Sequence, residues 1–139
     1  YRVEITKPQH IAGVVTIFDG EKIVQYNPNI SGSKILELQS NSFRNQMFLG
    51  TFLHNYLQSE EVAMEVQNIE EEKVIVLEAT IPGGSIYMAT QKLWLDEDTN
   101  KPIRMVIYDQ EDQETVIVEF LKFTYNPEIQ NNIFTIERL

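Results

Sequence analysis

From Asn45 to Ser59 the apolar residues recur at helical spacing, whereas on either side of this run they alternate. Phe48, Phe52 and Tyr56 fall on one row and Leu49, Leu53 and Leu57 on the next, so the two rows form one broad apolar stripe. Gln46, Gly50, Asn55 and Gln58 are expected to face away from it. The preceding polar segment, Gln39 to Arg44, supplies Asn and Ser residues able to cap the helix start. So short a helix is marginal alone and must gain its stability by burying the stripe. A sheet is expected to receive it.

The alternation elsewhere predicts that sheet. Tyr1 to Lys7 places Tyr1, Val3 and Ile5 against Arg2, Glu4 and Thr6, a half-buried strand that Pro8 ends. Ala12 to Phe18 is apolar on both faces and reads as a central strand. Asp19-Gly20 is a hairpin signal leading into Lys22 to Tyr26. Asn27-Pro28-Asn29 turns the chain toward a strand over Lys34 to Leu38. After the helix, Val62 to Ile69 and Lys73 to Ile81 form a hairpin across Glu70-Glu71-Glu72, with Ile75, Leu77, Ala79 and Ile81 on one face. Pro82-Gly83-Gly84 is expected to break the chain. Further strands are predicted over Ile86 to Leu95, Ile103 to Tyr108 and Thr115 to Tyr125, and an edge strand over Asn132 to Ile136. The expected fold is mainly β with one or two helices, a curved antiparallel sheet wrapping a helix, in a single domain over residues 1–139.

Composition narrows what such a domain can do. A chain of 139 residues with 42% apolar content builds one ordinary core. The net charge of −10, from 21 acidic against 11 basic residues, argues against nucleic acid and against docking on anionic lipid. The acids cluster at Glu70 to Glu72, Asp96 to Asp98 and Asp109 to Glu114, which read as solvated hairpin tips or as a surface for a basic partner. With no cysteine, disulfides, thiolate metal sites and cysteine nucleophiles are excluded.

Tested for chemistry, the sequence yields little. Asp96-Glu97-Asp98-Thr99-Asn100 starts like a calcium loop, but Lys101 stands where the sharp turn needs Gly and Ile107 where the bidentate Glu belongs. His10 and His54 have no partner at metal-ligand spacing. Ser85, after Gly83-Gly84, lacks the frame and the base of a serine nucleophile. Glu4 and Asp19 are an acid pair that the fold can bring together. No catalytic residue, metal or cofactor is expected. If sheet and helix leave a groove between them, Phe48, Leu49, Phe52, Leu53, Tyr56, Leu57 and Trp94 are its expected lining.

Several segments together resemble a known group. Arg2 to Pro8, Phe18 to Pro28, Leu93-Trp94-Leu95-Asp96, Lys101 to Tyr108 and Phe123 to Pro127 with Phe134 to Ile136 are similar to the LolA/LolB/RseB superfamily of lipoprotein-sorting proteins. The Cys-free character and the Lys7-Pro8 to Ala12-Gly13 stretch look closest within it to the GerS group of germination lipoproteins from spore-forming Firmicutes. The resemblance implies a half-open β-barrel and a non-enzymatic, membrane-anchored lipoprotein outside the cytoplasm. It implies a protein partner, an N-acetylmuramoyl-L-alanine amidase acting on the cortex peptidoglycan of the spore in germination. A carrier or sensor of lipid or lipoprotein acyl chains is the alternative.

Family members carry a helix and further strands before the Arg2 strand, so these, with the signal and the lipidation site, are expected upstream of Tyr1. The sheet edge this would leave predicts that another strand is recruited, from a second copy of the chain as a homodimer with or without strand exchange, from the upstream segment itself, or from a partner enzyme.

Overall fold

The computed structural model describes residues 1–19, 21–31, 35–38 and 45–135. Its contacts group into two compact units, Tyr1–Arg44 with Asn126–Leu139, and Asn45–Tyr125. Each unit holds one antiparallel meander, so the strands predicted as one succession divide between two sheets of four and five strands. Neither closes on itself. The fold is mainly β with a single α-helix among the described residues.

In the first unit, β1 (Arg2–Glu4), β2 (Val15–Phe18), β3 (Ile23–Tyr26) and β4 (Ile35–Leu38) pair in chain order. Strand β2 is central as expected, and Val15, Thr16 and Ile17 are all buried. Thr16 remains satisfied because its hydroxyl accepts from Gln25 Nε2 across the β2–β3 pair at 3.1 Å. The predicted first strand is shortened. Ile5 N–H still donates to Val14 at 2.9 Å, but the ladder then gives way to a cis Lys7-Pro8 bond and a 3-10 turn at Gln9–Ile11. The hairpin after β2 is held by Asp19, whose carboxylate accepts from the backbone of Glu21 and Lys22 at 2.8 and 2.9 Å. Gly20 and Lys34 lie outside the described residues.

The edge strand predicted over Asn132 to Ile136 is not formed; Asn131–Phe134 is a 3-10 turn, and Ile136 lies outside the described residues. Local bonds replace the ladder. Ile133 N–H donates to Gln130 at 3.1 Å, and Thr135 donates to the Asn132 carbonyl through both its N–H and its hydroxyl.

In the second unit, α1 (Leu49–Gln58) precedes β5 (Val62–Ile69), β6 (Glu72–Ser85), β7 (Met88–Asp96), β8 (Pro102–Tyr108) and β9 (Glu114–Glu119). The start of the predicted helix is a separate 3-10 turn at Asn45–Met47. Phe48 is extended and is the N-cap of α1, with no side-chain cap bond; the proposed capping segment, 39–44, lies outside the described residues. The final strand is shorter than predicted and stops at Glu119.

Pro82-Gly83-Gly84 does not break the chain. It forms an irregular bulge inside the β6–β7 pair, between Thr80 opposite Thr90 and Ser85 opposite Met88. Gly83 takes φ +62°, and a Cβ on Gly84 would stand 2.2 Å from the Met88 carbonyl oxygen. Only glycine allows the strands to pass this closely.

The core of this unit sits between α1 and one face of the sheet. Register places Leu77, Leu93, Met105 and Val118 in one row across β6 to β9. Phe52 lies on this row with no exposed surface, packed with Ala79, Leu93 and Met105, while Leu49 and Tyr56 flank it. Burying one such ring contributes about 2–3 kcal/mol. The inward face of α1 is rotated from the expected one: Asn55 is buried, and Leu53 and Leu57 are exposed. Leu49, Phe52, Asn55 and Tyr56 follow the 3.6-residue repeat of a straight helix, which a row taken every fourth residue gradually leaves.

Candidate functional site

The residues considered for catalysis are dispersed. His10 is exposed in the 3-10 turn and His54 is exposed on α1. The Ser85 hydroxyl accepts a bond from the Tyr87 backbone at 3.3 Å. Glu4 pairs with Arg2 at 3.3 Å and lies opposite Val15, whereas Asp19 is beyond the other end of β2, roughly 13 Å along the strand. This acid pair does not meet. Asp96 closes the β7–β8 hairpin, its carboxylate accepting from the Thr99 hydroxyl and from Thr99 N–H at 2.7 Å. Those bonds hold its pKa below the ordinary carboxylate value. Among the described residues, no group of three or more His, Cys, Asp or Glu is placed to hold a metal ion, and no helix is long and apolar enough to cross a membrane.

The seven residues expected to line a groove occupy three places. Phe52 is sealed in the core, with Leu49 and Tyr56 beside it and the extended Phe48 at the helix entrance. Leu53 and Leu57 face solvent, Leu57 with 78% of its surface exposed. Trp94 is on the opposite face of the sheet, because β7 alternates and Leu93 is the residue that meets the helix.

On that opposite face the sheet forms a cleft of about 390 Å³. Its floor is Val74, Trp94 and Arg104, and Ile103 stands beside them. Strict alternation would turn Ile103 toward the helix. The β7–β8 register shifts between Trp94 opposite Arg104 and Leu95 opposite Pro102, so Ile103 is an extra residue in β8 that lines the cleft next to Arg104. The far wall comes from the β5–β6 hairpin, where Ile69, Glu70 and Glu72 border the opening. Its two turn residues, Glu70 and Glu71, have φ of 50° and 72°, the left-handed values of the tight hairpin turn usually built from Asn and Gly.

Electrostatics divide the cleft. The Arg104 guanidinium lies 5.9 Å from the centre of the Trp94 ring and donates to Glu114 at 3.4 Å. The buried Arg104 Nε has no acceptor. Among the described residues Glu70 and Glu72 form no ion pair. Of this set the sequence singles out Trp94, expected in a groove at the helix, and Glu70 and Glu72, expected at an acidic hairpin tip; Ile69, Val74, Ile103 and Arg104 are not singled out as site residues. The matched alternation of β7 and β8 was a usable signal for Arg104; the bulge that adds Ile103 left none.

The model of the family described as sporulation protein YdcC-like matches residues 1–134. Among solved structures, the GerS lipoprotein in complex with the CwlD amidase of Clostridioides difficile is 34% identical, with a TM-score of 0.68, over 90% of this chain and 68% of that one. An uncharacterised conserved protein from Thermus thermophilus shares the fold at 14% identity and a TM-score of 0.63, over 99% of this chain and 69% of that one. A DUF1329 family protein from Desulfovibrio piger does so at 17% identity and a TM-score of 0.55, over 87% and 56%. No curated protein sequence matches significantly. The family match along nearly the whole chain and the likeness to GerS agree with the germination-lipoprotein resemblance read from the residues: the chain belongs to the sporulation protein YdcC-like family.

Proposed function

We propose that this chain is a non-enzymatic, membrane-anchored lipoprotein outside the cytoplasm that binds a cell-wall amidase of the N-acetylmuramoyl-L-alanine class and supports cortex modification in germination. The observation that carries the reading is the 34% identity, over 90% of the chain, to a lipoprotein solved in complex with an amidase. The sporulation family supports the setting. The acidic balance and the exposed carboxylates at the hairpin tips suit a protein partner better than an anionic surface. The alternative, a carrier of acyl chains, needs an open apolar groove under the helix, and Phe52 is instead packed against Ala79, Leu93 and Met105.

The test is titration calorimetry of the purified chain against the cell-wall amidase of the same organism. A saturable complex at micromolar concentration is expected, with peptidoglycan left intact by the chain alone. Two proteins that ignore each other at that concentration, or peptidoglycan hydrolysis by the chain that a single substitution abolishes, would overturn the proposal.

A further inference from the structure

The cleft over Trp94 has the makings of a recognition site that the core does not need. Its volume of about 390 Å³ is within the range of small binding sites. Ile69 and Ile103 each leave two-fifths or more of their surface uncovered beside the Trp94 ring, 45% and 40%. Exposed apolar side chains grouped around an aromatic ring are a recurrent feature of docking sites.

Charge selects the occupant. Among the described residues, Glu70 and Glu72 stand on one wall without a cation of their own, and the one cation lining the cleft, Arg104, is already shared between Glu114 and the Trp94 ring. Glu119 lies opposite Arg104 in the β8–β9 register and adds to the negative surroundings. An anionic ligand would meet these carboxylates and a net charge of −10. An acyl chain would strip water from two carboxylates and give nothing back. A lysine or arginine with apolar neighbours supplies both what the wall and what the floor lack: a charge for Glu70 and Glu72, and apolar cover for Trp94, Ile69 and Ile103.

We infer that the Trp94 cleft is the docking site for a basic segment of the protein partner, a Lys or Arg side chain flanked by apolar ones. The inference rests on the partner reading above and names the surface that serves it. Glu70 and Glu72 steer and anchor the cation, Trp94 and Ile103 receive the apolar flanks, and the bulge in β8 brings Ile103 to the site.

The experiment is titration of the amidase into the full chain and into the variants Glu70→Lys/Glu72→Lys, Trp94→Ala and Leu57→Ser, at low and at moderate salt. The charge-reversed pair is expected to weaken binding at least tenfold and to flatten its salt dependence with an unchanged melting temperature, since both residues are exposed. Trp94→Ala is expected to weaken binding comparably, and Leu57→Ser, on the helix, to leave it unchanged. If Trp94→Ala does not fold, the Glu70/Glu72 pair decides. Binding by the charge-reversed pair as tight as that of the wild type overturns the cleft and leaves the partner reading standing; absence of binding by the wild type overturns both. Binding of soluble peptidoglycan glycan strands that is lost in Trp94→Ala would show that the occupant is a sugar and overturn the assignment to a basic segment.

Discussion

Asn55 on α1 donates through Nδ2 to Gln91 Oε1 on β7 at 3.4 Å, a hydrogen bond between two residues that are both buried beneath the helix. The same amide donates to Gln46 Oε1 at 2.9 Å. The 3-10 turn, the helix and the sheet are thereby joined by three amide side chains placed in an otherwise apolar layer. Because Gln91 Nε2 has no partner, the chain of bonds is only partly satisfied.

Asn55→Ala is therefore expected to destabilise the fold by about 1–3 kcal/mol, since it strips Gln46 and Gln91 of a donor in a buried setting. Replacing both Asn55 and Gln91 by Leu is expected to cost less than Asn55→Ala, because the buried Gln91 amide is removed together with its donor and only the half-buried Gln46 loses one. Urea unfolding of both variants checks the order.

Phe52→Ala should cost about 3–5 kcal/mol by leaving a cavity against Leu93 and Met105. Leu57→Ala, on the exposed side of the helix, should lie within about 0.5 kcal/mol of wild type. Thermal melts of the two variants separate the buried row from the exposed one.

Glycine substitutions should differ in sign. Gly50→Ala meets nothing within 4 Å and removes a poor helix former, so a gain of up to about 1 kcal/mol is expected. Gly84→Ala would drive a methyl group to 2.2 Å from the Met88 oxygen and 3.0 Å from that of Ile81, and a loss of about 1–3 kcal/mol is expected. Denaturation midpoints decide.

Acid should weaken the hairpins. The Lys22 and Glu21 backbone amides hold the Asp19 pKa below its ordinary 3.8, and the Thr99 hydroxyl and amide do the same for Asp96. A carboxylate whose folded pKa is depressed contributes stability that is present above the unfolded value and lost as pH falls through the folded one. Stability should thus decline below about pH 4, and Asp19→Asn/Asp96→Asn should show a shallower decline. Melting curves collected across that range measure the difference.

Much of the fold was legible in the residues because strands and helices bury different repeats. The alternation of Ile75, Leu77, Ala79 and Ile81 predicted the face of β6 that meets the helix, and the spacing of Phe48 to Leu57 predicted the α-helix itself. Turn chemistry was equally local: Asp19 and Asp96 act through bonds to residues two or three positions away.

What one residue does to a distant one was not legible. That Asn55 turns inward and Leu57 outward depends on which side of the helix finds Gln91 and Leu93, residues far along the chain. The division of the strands into two sheets and the meeting of Trp94, Ile103 and Glu70 in one cleft depend on strand pairing and register. Periodicity reports which face of an element is apolar, a property of neighbouring residues, while a one-residue bulge reverses the facing of Ile103 without changing its neighbours in sequence. The apolar pattern was thus written locally, and the tertiary pairing alone decided which of its residues became core and which became surface.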